Sequence, residues 1–104
     1  MLFYLMGDML VMKINKLIRV EFFALEYNDK KWDDFSKCFN NTNVFLKGIP
    51  KDIINVLVQI LGIEESKIWI NKPLTALDGK RAIDLVKSTI GCNALKAFIM
   101  RIPI

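Results

Sequence analysis

The stretch from Trp69 to Ile102 limits the fold more than any other part of the chain. It reads W-I-N-K-P-L-T-A-L-D-G-K-R-A-I-D-L-V, then K-S-T-I-G, then C-N-A-L-K-A-F-I-M-R-I. Pro73 pushes Lys72 out of helical geometry and stops whatever precedes it. Asp78-Gly79 is a turn pair. Gly91 relaxes the backbone before a last amphipathic run. Only short elements fit between these breaks. An Asp-Gly pair also suits a hairpin, but no alternating pattern flanks it, so a turn between helices is expected.

Apolar spacing defines the helices. Ile53, Ile54, Leu57, Val58 and Leu61 form one stripe at helical period. Pro50 suits the first helical position, where a missing N–H costs nothing. Gly62 is expected to supply a left-handed C-terminal cap. A second helix follows, with Glu64 and Glu65 at its positive end and Ile68 and Trp69 burying it. Leu74 and Leu77 flank the turn and are expected on the core. Lys80 to Lys87 reads as a short helix with Ile83 and Val86 inward and Leu85 beside them. Leu95, Phe98, Ile99 and Ile102 define the last helix, which Pro103 ends.

The N-terminal half is less decisive. Residues 9–27 fit a helix through Ile14, Leu17, Ile18, Phe22 and Leu25. They also fit a strand through Ile18, Val20, Phe22 and Ala24. Helix is favoured, because no partner strand follows to pair its backbone. Asp29 is expected to cap a helix running to about Phe39, with Trp32, Phe35 and Phe39 inward. Asn40-Asn41-Thr42-Asn43 is a loop. The expected fold is all-α: a small domain of short helices. Residues 1–46 are read as an N-terminal helical or dimerisation element, and residues 47–104 as a second helical unit.

The extreme N-terminus, MLFYLMGDMLVM, is apolar. It lacks the positive start and unbroken apolar core of a signal peptide, and it is too short to span a bilayer. Met1, Met9 and Met12 are all possible starts. A cytoplasmic protein without a membrane anchor is expected.

Composition excludes several function classes. There is no histidine, which removes the commonest general base and the Ser-His and Cys-His pairs. Cys38 and Cys92 do not form a C-x-x-C, so neither a zinc site nor a disulfide framework is indicated. Asp33-Asp34 and Glu64-Glu65 are the acidic pairs, and neighbours on a helix point to different faces. The glycines make no phosphate loop. No catalytic residue, metal or cofactor is expected. A net charge of +4 suits an anionic partner or simply a Lys-rich surface.

Ten residues carry a resemblance: Trp69, Ile70, Pro73, Leu77, Gly79, Leu85, Val86, Gly91, Leu95 and Ile102. Their order and spacing resemble the toxin-binding domain of the MbcA/ParS/Xre antitoxin family, over about one third of the chain. The scaffold motif is Trp69, Pro73, Leu77, Gly79, Leu85, Gly91 and Leu95. Ala82 stands where the family usually has Pro. Lys47-Gly48-Ile49-Pro50 to Ile63 also looks like the opening helix of the family's helix-turn-helix-like domain. Only Glu64 to Ile68 then intervene before the motif, which leaves no room for a recognition helix.

The resemblance implies an all-α partner-binding protein without catalytic machinery. The implied partner is a RES-domain toxin that degrades NAD or transfers ADP-ribose, neutralised by occlusion of its active site. A homodimer or hetero-oligomer would bury the apolar N-terminus. The expected contacts are what projects from the scaffold: Lys80 and Arg81 after the turn, and the tail Arg101, Ile102, Pro103 and Ile104. The alternative is an operator-binding autoregulator using Lys13, Lys16 and Arg19.

Overall fold

A computed structural model describes residues 19–102. Residues 19–26 form helix α1. Helix α2 is Asp29–Ser36, α3 is Lys51–Leu61 and α4 is Ile63–Trp69. Strand β1, Pro73–Leu74, is followed by a 3-10 turn at Thr75–Leu77 and by strand β2, Lys80–Arg81. Helices α5, Ala82–Leu85, and α6, Thr89–Ile99, complete the described residues. The helical reading holds for residues 19–26, while residues 9–18 lie outside the described part.

The fold is broadly helical but not purely so. β1 and β2 pair antiparallel, with Pro73 opposite Arg81 and Leu74 opposite Lys80. The Asp78-Gly79 pair therefore closes a minimal hairpin, contrary to the expected turn between helices. Two-residue strands are too short to show alternation, so periodicity could not reveal them. The 3-10 turn between them ends at Asp78, which sits at φ 61° and ψ 27°. The Gly79 N–H closes the loop on the Leu74 carbonyl at 2.9 Å.

One core joins these elements. Ile53, Val56, Leu57, Leu77, Leu95 and Ile99 are fully enclosed, and Trp32, Leu46, Ile49, Ile54, Ile70, Leu74 and Leu85 are buried with them. Burial of large aliphatic and aromatic side chains is the main favourable contribution to such a fold, about 1.5–3 kcal/mol each. Leu74 and Leu77 reach the core as the sequence suggested.

Several local expectations need correction. Asn28, not Asp29, caps α2: its side-chain oxygen accepts the Lys31 N–H at 3.0 Å. That helix ends at Ser36, short of Phe39. Pro50 is the residue before α3 rather than its first, with ψ at 146°. Ile68 is 60% exposed; the buried position of α4 belongs to Ser66, whose hydroxyl donates to the Gly62 carbonyl at 2.7 Å. Bonding back to the preceding turn satisfies that hydroxyl, which makes its burial tolerable. In α5 Leu85 is buried as expected, but its companion inside is Ala82, with Ile83 and Val86 only half-buried. Lys80 and Arg81 belong to β2, so that helix is a single turn. α6 ends at Ile99 rather than at Pro103.

Two glycines have structural reasons of different kinds. Gly62 lies at φ 88° and ψ 165°, outside the left-handed cap that was expected and in a region nearly restricted to glycine. That conformation turns the chain straight from α3 into α4. Gly91 sits inside α6, not before it, and is buried. A Cβ there would run into the Leu85 carbonyl oxygen. Its role is close approach of α6 to α5.

Candidate functional site

The candidate contacts surround the small hairpin. Lys80 and Arg81 project from β2 and are exposed. Arg81 is paired: its Nε donates to Asp84 Oδ2 at 2.9 Å. Lys87 adds a longer contact to the same carboxylate, 3.5 Å. The Arg81 hydrogen bond holds the Asp84 carboxyl below the usual carboxylate range. Lys80 instead borders a surface cleft of about 460 Å³, shared with Val20, Leu85, Ser88 and Ile90.

The C-terminal candidates lie elsewhere. Arg101 does not project freely: its Nη2 meets Glu26 Oε2 of α1 at 2.6 Å. The guanidinium also lies over the Phe23 ring, 5.8 Å from its centroid. Ile102 is half-buried and packs against the core. Pro103 and Ile104 lie outside the described residues.

Helix α1 connects the two groups. The Val20 N–H donates to Asp78 Oδ2 at 3.2 Å. Arg19 donates to the Thr75 carbonyl. Phe23 meets Phe98 edge-on, with centroids 5.7 Å apart, and Phe98 stacks on Trp69 at 6.5 Å. The hairpin tip and the end of α6 therefore lie along one helix, with the Trp69 ring stacked on Phe98.

The scaffold motif is mostly inside. Leu77, Leu85, Gly91 and Leu95 are buried, Trp69 is half-buried, and Pro73 and Gly79 are exposed at the hairpin. Of the cations in the DNA-binding alternative, Lys13 and Lys16 lie outside the described residues, and Arg19 is engaged by its own chain.

A further polar cluster was not read from the sequence. Trp32 Nε1 donates to Asp52 Oδ2 at 2.8 Å. Lys96 Nζ lies 3.8 Å from the same carboxylate oxygen, and 5.6 Å from the ring centroids of both Tyr27 and Trp32. This cluster ties α2 to α3 and α6 by charge and aromatic faces together. Burial, reinforced by a hydrogen bond with Asp29, pushes the Tyr27 phenol above its ordinary value. Both cysteines are free: Cys38 is exposed, and burial pushes the half-buried Cys92 thiol up. A hydrophobic period reports which face is buried but not which polar pairs form along its edge, so only Trp32 was visible, as a core residue.

Among the described residues, no group of three or more His, Cys, Asp or Glu side chains is placed to hold a metal ion. None of their helices is long and apolar enough to cross a membrane. Among the described residues the surface offers a hairpin with charged edges, an aromatic patch and the guanidinium of Arg101 beside it.

Comparison with known families gives a match over part of the chain. Residues 56–102 match the antitoxin Xre/MbcA/ParS C-terminal toxin-binding domain. The matched segment runs from α3 through α6 to Ile102, so it includes the hairpin and the whole scaffold motif. It supports an antitoxin role and implies a toxin as partner. No curated protein and no solved structure gives a significant match to the chain.

Proposed function

We propose that this protein is an antitoxin that binds a RES-type toxin, an NAD-degrading or ADP-ribosylating enzyme, and neutralises it by covering the active site. The observation that carries this reading is the toxin-binding domain match over residues 56–102. In this reading residues 47–104 form the toxin-binding unit, and residues 1–46 add a helical element for dimerisation or hetero-oligomer formation. The protein acts in the cytoplasm, takes no cofactor and performs no catalysis of its own. Lys80 and Arg81 supply cationic contacts, since complementary charge steers association and fixes register. Arg101 contributes only where the partner releases it from Glu26. Ile102, Pro103 and Ile104 form the short tail that enters or flanks the toxin cleft.

The test is co-expression with the protein encoded by the neighbouring gene, where that gene has the length of a RES toxin. Rescue of growth and a complex on size exclusion are the expected results. A toxic neighbour that this chain neither rescues nor binds overturns the reading. No observation favours operator binding over it, because Arg19 already donates to a backbone carbonyl within the chain.

A further inference from the structure

Helix α1 lies on the domain without sinking into it. None of its residues from 19 to 26 is buried: Val20, Phe23 and Ala24 are half-buried against the core, while Phe22 is 39% and Leu25 83% exposed. Among the described residues its specific attachments include the Arg19 bond to the Thr75 carbonyl and the Arg101 guanidinium over the Phe23 ring. Phe23 lies edge-on to Phe98 at 5.7 Å, and Glu26 pairs with Arg101 at 2.6 Å. The Val20 N–H meets Asp78. Tyr27 and Asn28 then break the helix, and α2 begins, anchored by the buried Trp32. The contrast in burial between α1 and α2 falls at that break.

The contacts define what the surface beneath α1 selects. Phe98, backed by the Trp69 ring, receives an aromatic side chain. Arg101 receives a carboxylate three positions later on the same helix. The Asp78 carboxylate receives an amide N–H. A helix presents residues three apart on one face, so a single short amphipathic helix satisfies the aromatic and the guanidinium together. Helix-in-groove recognition uses anchors at this spacing, and an ionised partner makes the polar anchor a strong one.

We propose that the surface formed by Phe98, Arg101 and the hairpin tip at Thr75 to Asp78 is a docking site for a partner's amphipathic helix. That helix carries an aromatic residue and, three positions on, a carboxylate. α1 occupies the site in cis as a resident ligand and is displaced when the partner helix takes its place. Because α1 is tethered, it competes at high effective concentration, so its own hold sets the affinity that a partner must exceed. The site does not depend on the identity of the toxin or on the antitoxin reading.

The test supplies α1 in trans. The probe is a fluorescent, helix-stabilised peptide with the sequence of residues 19–29, added to the full-length chain and to its Phe23→Ala variant. The variant is expected to bind the peptide at least tenfold more tightly than the wild-type chain, because its own helix no longer fills the Phe98 face. A peptide carrying Glu26→Gln is expected to bind the variant at least threefold more weakly. Unchanged hydrogen-exchange protection of α3 and α6 in Phe23→Ala shows that the fold is intact. Where that protection falls, a full-length Glu26→Gln chain replaces it as acceptor, with the same expected ranking. Equal peptide binding by wild type and variant, or no binding by either at millimolar peptide, overturns the proposal.

Discussion

The segment from α3 to α6 and the helix α1 are both helical and both aromatic, yet different physics holds them. The first has many side chains fully withdrawn from water. The second has none buried among its described residues: Val20, Phe23 and Ala24 pack half-buried on the core, and its specific contacts include an aromatic edge contact, the Arg101 guanidinium over Phe23, an ion pair and two hydrogen bonds to the hairpin. Burial contributes stability that persists in salt, whereas exposed pairs contribute little and are screened. The segment that matches the toxin-binding domain thus carries most of the enclosed core, while the described part of α1 lies half-buried against it.

The comparison breaks most sharply at Leu77. This side chain is fully buried although it comes from a 3-10 turn between two tiny strands. Leu77→Ala is expected to cost about 2–5 kcal/mol, the range for emptying a core site. Urea unfolding measures it, and a loss below 1 kcal/mol would mean that the hairpin is not part of the core. Gly91→Ala comes next. The added methyl meets the Leu85 carbonyl oxygen first, and the Ser88 hydroxyl that caps α6 next, so about 1–3 kcal/mol of overpacking cost is expected. A neutral result in the same unfolding assay would refute the close approach of α6 to the Leu85 carbonyl.

The junction between the two regions ranks third. Asp52 accepts the indole N–H of Trp32, a residue only 3% exposed. Asp52→Ala leaves that donor unpaired and Lys96 without its carboxylate. A loss of about 1–2 kcal/mol is expected, since unmade buried hydrogen bonds cost that much. Hydrogen exchange should show the loss in α2 first. Uniform loss across α3 and α6 alone would contradict the proposed clamp.

The same division explains what could be read from the sequence. The stripe through Ile53 and Leu57 and the closing pair Leu95 and Ile99 were legible, because helical period and burial coincide there, and Leu74 and Leu77 were legible as apolar residues flanking a turn. The hairpin was not, since two residues cannot display a period of two. Ile68 was expected inside because hydropathy ranks isoleucine there, but α4 follows Gly62 so closely that its inward face falls on Ser66. Among the candidate contacts, Lys80 and Arg81 are exposed after the Asp78-Gly79 turn, but in strand β2 rather than in the expected helix. Arg101 was taken as free because its partner Glu26 lies 75 residues away, and sequence spacing carries no information about such pairs.

The smallest effect belongs to the hairpin's charged edge, and it tests whether that edge contributes to stability at all. Arg81 holds the Asp84 carboxyl below its ordinary value of 3.8. A carboxyl whose folded value is depressed adds stability above the unfolded value and loses it as pH falls through the lower folded one. Any acid sensitivity from this pair therefore belongs below about pH 4. Both groups are exposed, with side chains 46% and 43% accessible, so solvent screens the pair and the melting temperature of Arg81→Ala at pH 7 should match that of wild type. The carboxyl resonance of Asp84 should nevertheless titrate higher in Arg81→Ala than in wild type, moving towards 3.8. An unchanged titration would show that the pair does not persist in solution, leaving Arg81 as available to a partner as Lys80. A shifted titration with unchanged melting would mean that the pair orients Arg81 without stabilising the fold, and that a partner's carboxylate would have to compete with Asp84 for it.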